Sequence, residues 1–502
     1  MPAQTDHHVH GHIHGAVIVG AGFGGMGAAI ALRRLDIDDI VILEREDDLG
    51  GTWHVNRYPG LAVDIPSATY SYSFEPNPYW SRMYAPGAEL KAYCDHVATK
   101  YDLRRHMRFG VVVDGARWDE EAQVWIVNLH DGQTLTTRYL LTATGFLSQP
   151  KLPEIPGIET FDGTVLHTAK WDDDLDLHGR RAAVIGTGAT AVQLIPEIAP
   201  KLAELTVFQR TAIWVTPKSD GPVPRRLQAL YARIPFTQRV ARGIGSGILE
   251  ALMVAAVLKY RRFKLFNQTA ERVAKKHMAR QVRDPETRRK LTPDYSFGCK
   301  RPTFSNDYFP TFNQPHVHLE TTPIVRIEPD AIVTEDGARH EIDTLVLATG
   351  FNLWDTNFPA IEIIGREDRN LGKWWRENRF QAYEGVAVPK FPNYFSLNSP
   401  YSYSGLSYFT TIESQMKHMT RLLTAMRRRG VSRFEVTEEA NAEFLARMKR
   451  NLGDSVFTLG SCSTARSYYF NQHGEATLLR PTSTIGAFRE AGRFPISDYA
   501  LS

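Results

Sequence analysis

Two stretches of this 502-residue chain share one construction. In the first, a short apolar strand from Gly15 to Val19 runs into Gly20-Ala21-Gly22-Phe23-Gly24-Gly25 and a small-residue helix to about Leu35. In the second, Ala182 to Ile185 runs into Gly186-Thr187-Gly188-Ala189-Thr190-Ala191 and another helix. G-x-G-x-x-[G/A] between strand and helix is a dinucleotide-binding turn. Gly20 permits the tight turn, Gly22 lets the backbone approach a pyrophosphate, and Gly25 lets helix and strand pack closely. Gly186, Gly188 and Ala191 repeat these positions. The copies also end alike. The hairpin signal Asp131-Gly132 precedes the buried strand Tyr139 to Thr142 and Gly145, and Asp336-Gly337 precedes Leu345 to Gly350, with 14 residues from Asp to final Gly each time. One supersecondary unit repeated at long period constrains the chain to an α/β fold with two Rossmann-like dinucleotide-binding domains.

The copies differ in what they offer a nucleotide. Glu44 ends the strand Ile40 to Leu43, 24 residues after Gly20, and Arg210 lies 24 residues after Gly186. A carboxylate accepts hydrogen bonds from an adenosine ribose, so the first site suits FAD. A guanidinium suits a 2′-phosphate, so the second suits NADPH rather than NADH, with Thr211 adding a hydroxyl. The motif order places the NADP domain inside the FAD domain. The expected division is a His-rich, disordered tail over 1–14, FAD-binding parts over 15–150 and 356–502, and an NADP-binding domain over 151–355. A helical insertion occupies about 221–297.

Composition removes several alternatives. A net charge of +3 is too mild to argue for nucleic acid. Cys94, Cys299 and Cys462 stand far apart and make neither a disulfide framework nor a Cys-x-x-Cys pair, so a reducing, cytoplasmic location is expected. The run His7, His8, His10, His12 and His14 lacks the basic start and apolar core of a signal peptide; no metal is assigned to it. Gly243 to Leu258 is apolar but short and interrupted by Glu250, so a buried or interfacial helix is expected, with no membrane span. Ile412, Met416, Met419, Leu423 and Met426 make one buried helical face, closed by Arg427 to Arg429 and Gly430.

Three further segments carry chemistry. Phe161-Asp162-Gly163-Thr164-Val165-Leu166-His167-Thr168-Ala169-Lys170-Trp171-Asp172 joins the two repeated units. Gly50-Gly51-Thr52-Trp53 leads to Tyr58-Pro59-Gly60 and Asp64. Alone, Trp53 reads as a core side chain and Asp64 as a turn residue. Cys299-Lys300-Arg301-Pro302 follows the helical insertion.

The first of these matches F-x-G-x-x-x-H-x-x-x-W-[P/D] at Phe161, Gly163, His167, Trp171 and Asp172. The second matches G-G-x-W-x4-[Y/F]-P-G-x3-D. On these motifs and both nucleotide sites, the chain resembles the type I Baeyer–Villiger monooxygenases over nearly its whole length. The resemblance implies that NADPH reduces FAD, that reduced flavin and O2 form a C4a-peroxyflavin, and that this species converts a ketone into an ester or lactone. It implies a conformational role for His167, an NADP contact for Lys300, a flavin-side cation at Arg301, and Asp64 holding that arginine. Gly51, Thr52, Trp53, Tyr70 and Val112 are counted with the cofactor-facing positions. Ser467-Tyr468-Tyr469 departs from the S-W-Y of many relatives. Two other readings remain: a flavin monooxygenase oxidising sulfur or nitrogen, and a non-catalytic FAD/NADPH-binding redox sensor. The ketone and the oligomeric state are left open.

Overall fold

The computed structural model describes residues 11–403 and 407–502. Its first sheet is built on Ile13–Val19, which pairs in parallel with Ile40–Leu43 on one side and Thr134–Thr142 on the other. Where these strands run side by side they are apolar, because helices and loops cover both faces; Val17, Ile18, Ile42, Leu140 and Leu141 are fully enclosed. The Asp131-Gly132 turn closes an antiparallel meander of Val113–Asp119, Val124–Leu129 and Thr134–Thr142. Two late strands return to this sheet: Glu362–Ile364 pairs with Val113–Asp119, and Tyr394–Ser396 with Thr134–Thr142.

The second sheet is wholly parallel, in the order Val317–Glu320, Glu204–Phe208, Arg181–Ile185, Thr344–Leu347, Thr164–His167. The chain thus leaves the first sheet, builds the second and comes back. Asp336-Gly337 turns a separate three-stranded antiparallel sheet beside it.

The helix Tyr408–Arg429 buries Ile412, Met416, Met419, Leu423 and Met426 and ends at Gly430 with φ 66°. It lies against Phe23–Arg33, where a Cβ on Gly27 would come within 2.7 Å of the Ile412 side chain. That contact explains the small residues of the first helix.

Four expectations need correction. The first strand starts at Ile13, so the tail is shorter than 1–14. His12 and His14 flank Asp39, at 2.8 and 3.0 Å; His7, His8 and His10 lie outside the described residues. The segment read as a linker contains an edge strand, Thr164–His167, of the second sheet. Cys299 and Cys462 are joined in a disulfide with Cα atoms 5.3 Å apart; 163 residues of separation hid that their segments pack together. The apolar helix is longer than Gly243–Leu258, running from Pro235 to Leu258, and is mostly exposed, because Pro235 opens the helix a full two turns earlier.

One buried ion cluster supports the returning segment. Arg480 is almost wholly enclosed and pairs with Glu384 at 2.5 Å and with Glu490. Its backbone N–H donates to Tyr403 O at 2.8 Å, so the cluster anchors the strand that carries Tyr403. Arg480→Ala leaves the Glu384 carboxylate buried with only Arg447, at 3.0 Å, to hold it. The expected loss is about 3 kcal/mol in urea unfolding at neutral pH, and a loss under about 0.5 kcal/mol would show that the cluster does not support the fold.

Candidate active site

The first nucleotide turn is shaped by close approach. A Cβ on Gly25 would sit 1.9 Å from Gly20 O, and Gly20, at φ +109°, abuts Ala143 O. A Cβ on Gly22 would meet only the Gly51 backbone, at 3.8 Å, so two glycine backbones line this side of the turn. Glu44 is buried and accepts from Ala21 N–H at 2.7 Å and from Glu46 N–H at 3.1 Å. Each oxygen keeps a lone pair for a ribose hydroxyl. Val112 is exposed on the neighbouring segment, whose Gly110 and Val111 N–H groups donate to Glu46 O and Glu44 O.

Gly51, with φ 53° and ψ −122°, caps a short helix, Thr52–Val55. Trp53 meets Tyr70 edge to face at 5.5 Å, and Tyr70 meets Phe409 at 5.0 Å. Thr52 is exposed on the same turn. The loop that follows is clamped to the second domain through Gln193, a residue the sequence did not single out. Tyr58 O–H donates to its Oε1 at 3.0 Å, and its Nε2 donates to Ala62 O at 3.0 Å.

Asp64, at the end of that loop, grips Arg301 with two bonds, from Nε at 2.5 Å and Nη2 at 3.1 Å. Arg301 Nη1 donates to Tyr403 O–H at 2.8 Å. Burial works against the guanidinium charge, but the Asp64 carboxylate outweighs it and holds the pKa well above its ordinary value. Tyr469 stands beside the arginine, and burial pushes its phenol up to about 12. Tyr468 and Tyr403 complete an aromatic wall on one side of the cation, and the ion pair stays half-buried. The disulfide joins Cys299 to Cys462, fastening the Lys300-Arg301 segment to the segment carrying Tyr468 and Tyr469.

The second nucleotide turn follows the strand Arg181–Ile185 into the helix Ala189–Ile198. Gly186 has φ +117°, a Cβ on Gly188 would meet nothing within 4 Å, and Ala191 is buried under the helix. Thr211 O accepts from Thr187 O–H at 2.9 Å. Near this turn three cations gather: Arg210, Lys300 and Arg466, the last missed in the sequence. Among the described residues none of the three has a carboxylate partner. Burial first, then Arg210 and Arg466, push the Lys300 ammonium down to about 8. Burial and Arg466 also lower Arg210. Uncompensated positive charge of this kind is the donor set for a phosphate, and with the Gly22 cradle it fits NADP and FAD respectively.

The joining segment is packed, not loose. Phe161 and Trp171 are buried, and a Cβ on Gly163 would collide with Asp343 O at 2.3 Å. Trp171 shares an apolar cluster with Tyr58 from the loop before Asp64. Asp172 is exposed and accepts from Asp174 N–H at 3.0 Å, as a turn residue does. His167 is buried, and its Nδ1 accepts from Ala169 N–H at 3.1 Å. Burial lowers its pKa, opposed in part by the Gly350 backbone that the ring faces, so the ring is a neutral imidazole.

The family of pyridine nucleotide-disulphide oxidoreductases matches residues 17–230. A Baeyer–Villiger monooxygenase of Streptomyces coelicolor is 38% identical over 98% of this chain and 93% of its own. A Baeyer–Villiger monooxygenase of Pseudomonas aeruginosa is 37% identical over 97% and 91%. Among solved structures, cyclohexanone monooxygenase from Rhodococcus sp. Phi1 bound to NADP+ superposes with a TM-score of 0.85 at 28% identity, covering 98% of this chain and 99% of that one. OTEMO in complex with FAD and NADP gives 0.86 at 27% identity, covering 97% and 99%.

The cation cluster has a measurable consequence. A bound phosphate raises the Lys300 pKa again, so the lysine's help to NADP+ is complete below about pH 8 and fades above it. The Kd for NADP+ is expected to rise between about pH 7.5 and about pH 9.5, with proton uptake on binding near pH 8. Lys300→Met should weaken binding and flatten that profile. An unchanged profile in the variant would assign the titration to another group.

Proposed function

This chain belongs to the Baeyer–Villiger monooxygenases, and we propose that the Asp64–Arg301–Tyr403 constellation is the centre at which it turns a ketone into an ester or lactone. Bound FAD supplies the redox chemistry, accepting hydride from NADPH and delivering one atom of O2 to the substrate. The chain's own residues bind, orient and polarise. The turn Gly20 to Gly25 holds the FAD pyrophosphate and Glu44 its ribose. Gly51, Thr52, Trp53, Tyr70 and Val112 line the rest of that cofactor. Gly186, Gly188 and Ala191 receive the NADP pyrophosphate, while Arg210, Thr211, Lys300 and Arg466 take its 2′-phosphate. Residues 15–150 and 356–502 form the FAD unit in this reading, and 151–355 the NADP unit.

The observation that carries the proposal is the geometry of Arg301. A guanidinium gripped by both oxygens of Asp64 and tied to Tyr403 is a fixed positive charge against an aromatic wall. Such a preorganised cation stabilises negative charge on an oxygen nucleophile without reorganising at the moment of reaction. Phe161, Gly163, His167, Trp171 and Asp172 act in this scheme by shape. A cytoplasmic location belongs to the same proposal, although the Cys299–Cys462 disulfide removes the cysteine argument for it, and cell fractionation tests it.

Removing one preorganised donor of this kind typically costs about 10²–10³ in rate. Arg301→Ala is expected to keep FAD, oxidise NADPH slowly and release hydrogen peroxide, with ester formed per NADPH oxidised falling accordingly. Arg301→Lys should recover little, because an ammonium lacks the planar fork that Asp64 holds. Ester at near wild-type yield from Arg301→Ala would move the chemistry away from this constellation. In a second test, Arg210→Ala should weaken NADPH by about 1.5–3 kcal/mol and leave NADH nearly unchanged; equal losses would show that Arg210 does not read the 2′-phosphate.

A further inference from the structure

The helix Pro235–Leu258 turns an apolar face outward. Phe236 is 70% exposed, Ile244 61% and Ile248 57%, with Val240 and Leu252 on the same slowly winding stripe. The exposed apolar surface continues past the bend at Lys259 as Phe263, Leu265 and Phe266. Scattered exposed apolar residues are ordinary, but a contiguous stripe of this length marks a docking surface.

Its charge says what docks. Residues 225–280 hold 13 Lys and Arg against 2 Glu. The whole chain has 59 against 56, so the remainder carries 46 basic and 54 acidic residues and is net negative. The protein's excess positive charge therefore lies in the segment that carries this stripe. Arg233 and Arg239 flank one end of it, and Lys259, Arg262 and Lys264 the other, all exposed. A second copy of the chain would bring one such basic face against another. A nucleic acid would leave Phe236, Ile244 and Ile248 without an apolar partner.

The inner face fixes how deep the helix can go. Gln238 Nε2 donates to Asn77 O at 2.6 Å, Arg242 Nη1 to Ser71 O at 2.7 Å, and Glu250 accepts from Thr484 N–H at 2.6 Å. The helix is 24 residues long, enough to cross a bilayer. Crossing would break these ties and carry Arg242 and Glu250 into hydrocarbon. An apolar outer face with basic flanks and a polar inner face suits a helix lying in the headgroup region.

We propose that the surface formed by Pro235–Leu258 and the start of the following helix docks the protein peripherally on an anionic lipid bilayer. The stripe enters the acyl boundary, and the flanking Lys and Arg side chains meet the lipid phosphates. This rests on the surface alone and stands apart from the reading of the active site.

The test is co-sedimentation of the FAD-loaded enzyme with vesicles of phosphatidylcholine alone and of phosphatidylcholine with about one-third phosphatidylglycerol, at low and at physiological salt. Binding to the anionic vesicles is expected, weakened by salt, with little on neutral ones. Arg262→Ala with Lys264→Ala should weaken it roughly 30-fold. Ile244→Asp with Ile248→Asp should abolish it, while the flavin absorbance and NADPH oxidation in solution remain. The proposal is overturned if the enzyme stays in the supernatant at low salt, if neutral vesicles bind it equally, or if the variants sediment like the wild type. It is also overturned if sedimentation equilibrium shows a dimer that Ile244→Asp with Ile248→Asp dissociates, since a second copy then covers the stripe.

Discussion

The ion pair of Arg301 with Asp64 is the interaction on which the site depends, and it spans 237 residues of sequence. A charge pair out of water is costly unless its geometry is fixed and its remaining hydrogen bonds are satisfied. Both conditions are met from several directions at once. Asp64 is placed by a loop that Gln193 clamps to the second sheet's first helix. Arg301 is placed by a segment tied through Cys299 to Cys462. Its third bond goes to Tyr403, whose strand is held in turn by Arg480. The pair is thus the meeting point of both domains and of the returning segment.

Lys300 and Arg301 are neighbours that serve opposite electrostatic settings. Arg301 is compensated by Asp64, and its charge is reinforced; Lys300 is crowded by Arg210 and Arg466, and its charge is weakened. One short bend thus carries two adjacent cations into different electrostatic settings. The compensated cation is ready without a ligand. The uncompensated cluster is relieved only when an anion arrives, which couples cofactor binding to the segment that positions Arg301.

Much of this architecture was legible in the chain because it rests on local patterns. The two glycine turns, the hairpins at Asp131-Gly132 and Asp336-Gly337, and the stripe from Ile412 to Met426 each express a short period or a backbone requirement. Glu44 and Arg210 were legible through their common register. Asp64 and Arg301 carried no such signal; the resemblance brought them together, and geometry then showed how they touch. Gln193, Tyr403 and Arg466 escaped because each acts on a partner far away in sequence and sits in an unremarkable local context. The cysteine pairing escaped for the same reason. The apolar helix was misjudged for a different one: hydrophobic composition indicates burial only if something covers the residue, and whether Ile244 meets protein or solvent is decided by packing.

That helix also touches the site's margin. Its inner side lies on residues 69–71: a Cβ on Gly245 would be 3.7 Å from the Thr69 side chain, and Arg242 binds Ser71. Between these two lies Tyr70, the ring that links Trp53 to Phe409. The glycines of the helix, Gly243, Gly245 and Gly247, leave it with little side-chain packing of its own; a Cβ on Gly243 or Gly247 would meet nothing within 4 Å. Its position is therefore set by the polar ties of Gln238, Arg242 and Glu250 more than by an apolar core. Whatever covers the outer stripe adds the burial that this element lacks, on the side of the helix away from Ser71 and Thr69.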